Sequence, residues 1–383
     1  MARIARRGLM LAAGACGLAL PARSMAAPGP GDHPEFAPVL PGRPLRFPRD
    51  HGAHPGFRTE WWYLTGWLRL AGQPIGVQVT FFRSRTRHPP DNPSRFAPHQ
   101  LLLAHAAIAD PAHGRLRHDQ RSARAGFGLA QASETDTDLR LGRWQLARDA
   151  DDRYRTRIEA RDFRLALSFT PAAAPQPQGD EGYSRKGPQP AQASHYYSRP
   201  RLAVQGEVVI AGRSRTVEQG LAWLDHEWSS EVLDPRAVGW DWVGLNFDDG
   251  SALMAFRIRA ADGGEIWQHA RWLPASGLTH GPASDAAPAA TNASTRGPGE
   301  PVSFQPLRHW RSSRSAGSYP VAMRVRVGAR TLVLEPLLDD QELDARASTG
   351  GHYWEGAVRV LEAGRETGRG YLELTGYAGP LRL

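Results

Sequence analysis

Cysteine is almost missing from this 383-residue chain: Cys16 is the only one, and it lies inside an apolar N-terminal run. The rest of the chain can therefore form no internal disulfide and offers no thiolate nucleophile, so stability has to come from packing. Lysine is equally scarce, with Lys186 alone. The formal charge of +8 is carried by arginine, and four of these residues (Arg3, Arg6, Arg7 and Arg23) precede residue 27 with no acid among them. Further along, arginines alternate with acids instead of forming a basic stripe, so no nucleic-acid partner is expected. After the N-terminal run, no stretch approaches the roughly eighteen continuous apolar residues of a membrane helix, so the mature chain should hold no integral membrane segment. Gly-x-Ser-x-Gly, His-Glu-x-x-His and a glycine-rich phosphate loop are also missing. Their absence removes the common signatures of serine hydrolases, zinc peptidases and nucleotide binders, and neither cofactor nor metal is expected. Helical periodicity is nearly absent, and only Leu338 to Arg346, after Pro336, has room for a short helix.

At the N-terminus, Arg6-Arg7-Gly8-Leu9-Met10 opens an apolar run that ends near small residues at Ser24-Met25-Ala26. Residues 1–26 read as a twin-arginine-like export signal, which implies a periplasmic or secreted protein. Residues 27–44 follow as a flexible segment. The remaining length exceeds what one hydrophobic core usually supports, so two domains are expected, at 45–232 and 233–383. Short runs with period-two alternation recur: Gly76 to Phe82, Arg140 to Leu146, Phe163 to Phe169, Leu202 to Ile210, Ala252 to Ile258, Ala322 to Val327 and Ala357 to Leu361. Such spacing predicts an all-β protein of antiparallel barrels or sandwiches. Pro171 to Ala193 and Pro274 to Pro301, rich in Pro, Ala and Gly, read as loops.

Acids beside aromatic rings form three clusters: Asp50-His51-Gly52-Ala53-His54 with Glu60-Trp61-Trp62-Tyr63, then Ser194-His195-Tyr196-Tyr197-Ser198, then Trp223-Leu224-Asp225-His226-Glu227-Trp228. Alternation along a strand puts Asp225 and Glu227 on one face and His226 and Trp228 on the other. The same residues also fit purely structural roles, as a barrel plug or an ion-pair network with arginines. His51, His54, His105 and His226 could converge on a metal, but no tight ligand spacing supports this. Glu355 and Glu373 read as anchors of the second domain.

Together with Phe47-Pro48-Arg49-Asp50-His51-Gly52, Gly239-Trp240-Asp241-Trp242 and Gly370-Tyr371-Leu372-Glu373-Leu374-Thr375-Gly376-Tyr377, these clusters resemble the AttH-like, or carotenoid 1,2-hydratase-like, family. The resemblance covers residues 45 to 383 and implies two consecutive lipocalin-like β-barrel domains. It also implies cofactor-free acid/base hydration, or hydrolysis, of a hydrophobic isoprenoid or lipid-like molecule. On that reading Asp225 is the acid and His226 the base, with Glu60 and Glu227 tuning charge. Trp61, Trp62, Tyr63, Tyr196, Tyr197, Trp228, Trp240 and Trp242 would line the substrate site. The family's Tyr-x-Asp downstream of His-x-Trp has no counterpart in Leu253 to Arg259. A non-catalytic carrier of a hydrophobic ligand is the other reading open to such barrels.

Overall fold

The computed structural model describes residues 35–89, 91–231, 233–275 and 299–381. The export-signal segment with Cys16, and most of Pro274 to Pro301, lie outside the described residues. Among the described residues there is no α-helix, and no helix is long and apolar enough to cross a membrane.

Two antiparallel sheets of 14 and 9 strands account for nearly all regular structure, each curled on itself into a barrel-like body. The larger sheet is built from Thr59–Leu70, Gln73–Arg85, Gln100–Ala109, Leu116–Arg124, the short strands up to Phe163–Thr170, Ala193–Ile210 and Gln219–Glu231. The strands that end this sheet's order, Leu116–Arg124 and Ala130–Ala132, follow one another in sequence and are linked by a short turn that the Gly126–Ala130 bridge closes. The second sheet runs from Ala237–Phe247 to Arg365–Thr375. Its outermost strands, Glu265–Leu273 and Val302–Arg311, are drawn together by Glu300 N–H donating to Ala270 O at 3.0 Å and Val302 N–H to Gln268 Oε1 at 2.8 Å.

Side-chain alternation shows which strands face water. Tyr154–Glu159 and Phe163–Thr170 alternate buried and exposed positions, as strands with one wet face should. Thr59–Leu70 and Gln219–Glu231 are buried on both faces instead. Trp62, Leu64, Leu68 and Leu70 fill the first barrel, while Tyr63 and Trp67 pack against the second sheet, with Trp242, Phe256, Tyr371 and Trp223 in the same apolar layer. The barrels thus meet through their outer faces. Gly76 allows the approach: a Cβ there would lie 2.6 Å from the Ala357 Cβ and 2.7 Å from the Tyr371 hydroxyl.

Four local expectations are corrected. Leu338 to Arg346 forms no helix, because Glu342–Asp344 pairs with His352–Glu362 while Gln341 bonds Leu338 O and the Ala357 backbone. Arg140 to Leu146 is a hairpin, turning at Gly142 with φ +57°. Pro171 to Ala193 is tied into the barrel by backbone bonds, such as Gln178 N–H to Tyr196 O, and buries Gln178, Ser184 and Lys186. Within the segment expected to be flexible, Val39 packs with Tyr183 and Ala193, and Arg43 pairs with Asp50 at 3.0 Å.

Candidate functional site

The alternation of Gln219–Glu231 sends its side chains into two different places. His226 and Trp228 turn into the first barrel, where they join Glu60 from the neighbouring strand. Glu60 Oε1 accepts from His54 Nδ1 at 2.7 Å and from His226 Nε2 at 2.9 Å, and Oε2 pairs with Arg83 Nε at 2.7 Å. Asp50 Oδ1 bonds His54 Nε2 at 3.0 Å, and Tyr197 OH lies 2.8 Å from His51 Nδ1 and 3.2 Å from His226 Nδ1. Trp228 stacks on His54 with ring centroids 3.7 Å apart, and Trp62 on His226 at 4.5 Å. Burial alone would raise the Glu60 carboxyl, but Arg83, His54 and His226 hold it well below its ordinary range. Burial pushes His226 down, only partly countered by Glu60. This is a closed ion-pair network that plugs one barrel. The second barrel has a counterpart in buried Asp241, which pairs with Arg257 at 2.6 Å and Arg259 at 3.0 Å.

His54, Glu60 and His226 bring ligand atoms within 4.8 Å of one another, so a metal has to be considered. The donor set is already spent: Glu60 neutralises Arg83 and takes both imidazoles, and His54 is also bonded to Asp50. An added cation would sit beside the Arg83 guanidinium with no free ligand charge, and the residues do not fit one. His105 lies elsewhere, bonded to Tyr353 OH at 2.6 Å and Ser348 Oγ at 2.7 Å, and burial lowers it to about 3.

Asp225 and Glu227 point the other way, into a cavity of about 380 Å³ between the two sheets. Its walls are mainly rings and aliphatic side chains: Trp61, Tyr63, Phe82, Leu103, Trp240, Trp242, Phe256 and Ile258. Asp225 accepts from Ser198 Oγ at 2.6 Å, Trp223 Nε1 at 2.7 Å and Tyr196 OH at 2.8 Å. Burial raises its carboxyl to about 7 against the pull of those three donors, and Glu227 adds to the rise. Glu227 pairs with Lys186 at 2.9 Å and accepts from Ser194 Oγ. Lys186 in turn lies over the rings of Phe256 at 4.1 Å and Tyr196 at 4.7 Å.

From the second sheet come Glu355 and Glu373, directly opposed across the pairing of His352–Glu362 with Arg365–Thr375. Glu355 Oε2 accepts from Tyr63 OH at 2.7 Å across the seam, and Glu373 Oε2 from Trp240 Nε1 at 3.0 Å. Burial, then the neighbouring Glu373, pushes Glu355 well above the carboxylate range, and burial raises Glu373 to about 7.

Of the expected site residues, the cavity gathers Asp225, Glu227, Trp61, Tyr63, Trp240 and Trp242, with Tyr196 bonded to Asp225 and to Trp242 Nε1 at 3.3 Å. Glu60, Trp62, Tyr197, His226 and Trp228 are separated from them by the sheet itself. Asp225 and His226 therefore cannot act as acid and base on one substrate: neighbours on a strand face opposite ways. Glu355 and Glu373, expected as anchors of a barrel, line the cavity instead. Lys186, the chain's single lysine and so a visible feature of the sequence, joins them at the cavity wall through Glu227.

A family model described as AttH-like matches residues 38–377. The crystal structure of an AttH from Nitrosomonas europaea is 51% identical, with a TM-score of 0.78, covering 89% of this chain and 100% of its own. Kievitone hydratase from Nectria haematococca is 12% identical with a TM-score of 0.63, over 91% of this chain and 97% of its own. CghA bound to Sch210972 is 14% identical with a TM-score of 0.55, over 91% and 96%. At these identities the last two share the fold. No curated protein matches the sequence.

Proposed function

The chain belongs to the AttH-like family, and from that premise we propose that it is a cofactor-free hydratase, adding water to a carbon–carbon double bond of an uncharged, isoprenoid-like molecule held between its barrels. The observation that carries this reading is a set of four carboxyl groups in one ring-walled cavity, with Asp225 and Glu373 raised to about 7 and Glu355 pushed by burial well above the carboxylate range. Hydration needs a neutral acid to protonate the alkene and a base to take a proton from the attacking water, and a buried carboxyl cluster can hold both forms at neutral pH. In the step, a C–H bond forms at one alkene carbon as the acid's O–H bond breaks. Water then forms a C–O bond at the other carbon and gives up a proton. The intervening cation gains on the order of 1 to 2 kcal/mol from each desolvated aromatic face that it meets, and Trp61, Trp240 and Trp242 offer such faces. The carboxylates disfavour an anionic substrate, while the tightly filled first barrel favours binding between the barrels over binding inside one. The fold is also one that kievitone hydratase uses. Residues 1–26 place this activity outside the cytoplasm in our proposal, which a reporter fused to that segment would check.

The test is to identify by mass spectrometry the lipid that copurifies with the mature protein and to incubate it in ¹⁸O-water. The wild type should incorporate label, and Asp225→Asn should lose at least about 100-fold in rate. Binding without any incorporation by the wild type would sink the hydratase and leave a carrier.

A further inference from the structure

The four carboxyl groups differ in their surroundings, and the difference follows the walls of the cavity. On the first-sheet wall, three donors converge on Asp225 and the Lys186 ammonium sits on Glu227, arrangements that favour carboxylates. On the second-sheet wall, Glu355 and Glu373 stand side by side, and among the described residues neither forms an ion pair with a cation. Two carboxylates so placed repel, and a proton on the pair removes the repulsion. Glu355 is 1% exposed, its Oε2 is occupied by Tyr63, and its Oε1 has no hydrogen-bond partner among the described residues. A buried carboxyl oxygen without a partner is costly as an anion and is the natural seat of a transferable proton.

Resting on the hydratase reading above, we propose that donor and base sit on opposite walls: Glu355 delivers the proton to the double bond from its unpartnered oxygen, and Asp225 takes a proton from the water that attacks the cation. The atoms balance. Glu355 O–H breaks as substrate C–H forms, the alkene π pair makes that bond, a water lone pair makes C–O, and one water proton passes to Asp225. Exchange with cavity water then returns the proton to Glu355. The direction reverses the sequence expectation, in which Asp225 was the acid.

The experiment combines infrared spectroscopy with turnover in the mature protein. At pH 7 the wild type should show a neutral-carboxyl carbonyl band that shifts in D₂O. Asp225 and Glu373, both raised to about 7, absorb there as well, so Glu355 is the component that Glu355→Gln removes, that Asp225→Asn retains, and that Tyr63→Phe, which keeps the carboxyl but deletes its donor, moves. Turnover should fall at least about 100-fold in Glu355→Gln with ligand binding kept. Neutral-carboxyl absorption that loses no component in Glu355→Gln and stands still in Tyr63→Phe overturns the assignment, whether or not wild type turns over, as does near-normal turnover in Glu355→Gln. Failure of the hydratase reading is a separate result, the absence of ¹⁸O incorporation by wild type. If Glu355→Gln does not fold, the displacement of the band in Tyr63→Phe still decides.

Discussion

Glu355 gives the molecule a specific pH signature. In an unfolded chain its carboxyl ionises near 4.5, whereas in the fold burial and Glu373 keep it protonated well above that. The folded state then holds the extra proton, so the stabilising contribution is complete below about 4.5 and drains away as pH rises toward the folded value. Glutamine stays neutral throughout. The stability difference between wild type and Glu355→Gln should therefore move in the variant's favour above pH 5, by up to about 1.4 kcal/mol per pH unit. Asp225, Glu227, Glu373, Lys186 and Tyr63 share the cavity and remain in both proteins. Urea unfolding at a series of pH values measures this, and parallel pH profiles would show that Glu355 ionises normally. Glu60 has the opposite sign: burial raises it, but Arg83, His54 and His226 more than compensate, so its contribution is lost only as pH falls.

At the scale of the element, Gln219–Glu231 lines the cavity between the sheets with Asp225 and Glu227 and plugs the first barrel with His226 and Trp228. His226→Gln should lower unfolding free energy by about 1 to 3 kcal/mol, because Glu60 loses a buried donor and Trp62 a stacked ring. Ligand affinity and turnover at the cavity should change little. A loss of turnover as deep as that of Asp225→Asn would return His226 to the chemistry. That division was legible in the sequence, since period two follows from the residues alone, and so were the all-β architecture and the aromatic setting of Asp225 and Glu227. It was not legible that the outer face of Thr59–Leu70 meets another sheet instead of water. Glu355 and Glu373 alternate with core residues just as the exposed acids of a wet strand would. Lys186 was hidden by the Pro- and Gly-rich composition of its neighbourhood, which reads as a loop but is held by main-chain bonds to Ala193–Ile210. The expected helix at Leu338 to Arg346 failed because pairing with an adjacent strand outweighs local propensity there.

For the whole molecule, the decisive contact is the seam. Trp67 Nε1 donates to Gly370 O at 2.9 Å, Tyr63 reaches Glu355, and Trp242 reaches Tyr196. Gly76→Leu would force side-chain atoms into Ala357 and Tyr371, costing about 1 to 3 kcal/mol and spreading the cavity walls. Calorimetry should show the lowered melting temperature, together with reduced ligand affinity. Gly351→Ala, at a position where a Cβ meets nothing within 4 Å, should do neither. Equal behaviour of the two variants would mean that the seam tolerates wedging. Since one wall of the chamber rides on each barrel, the proposed turnover lasts only as long as their grip. Mild warming should silence the protein while circular dichroism still reports intact strands, so that inactivation, not melting, sets its working ceiling.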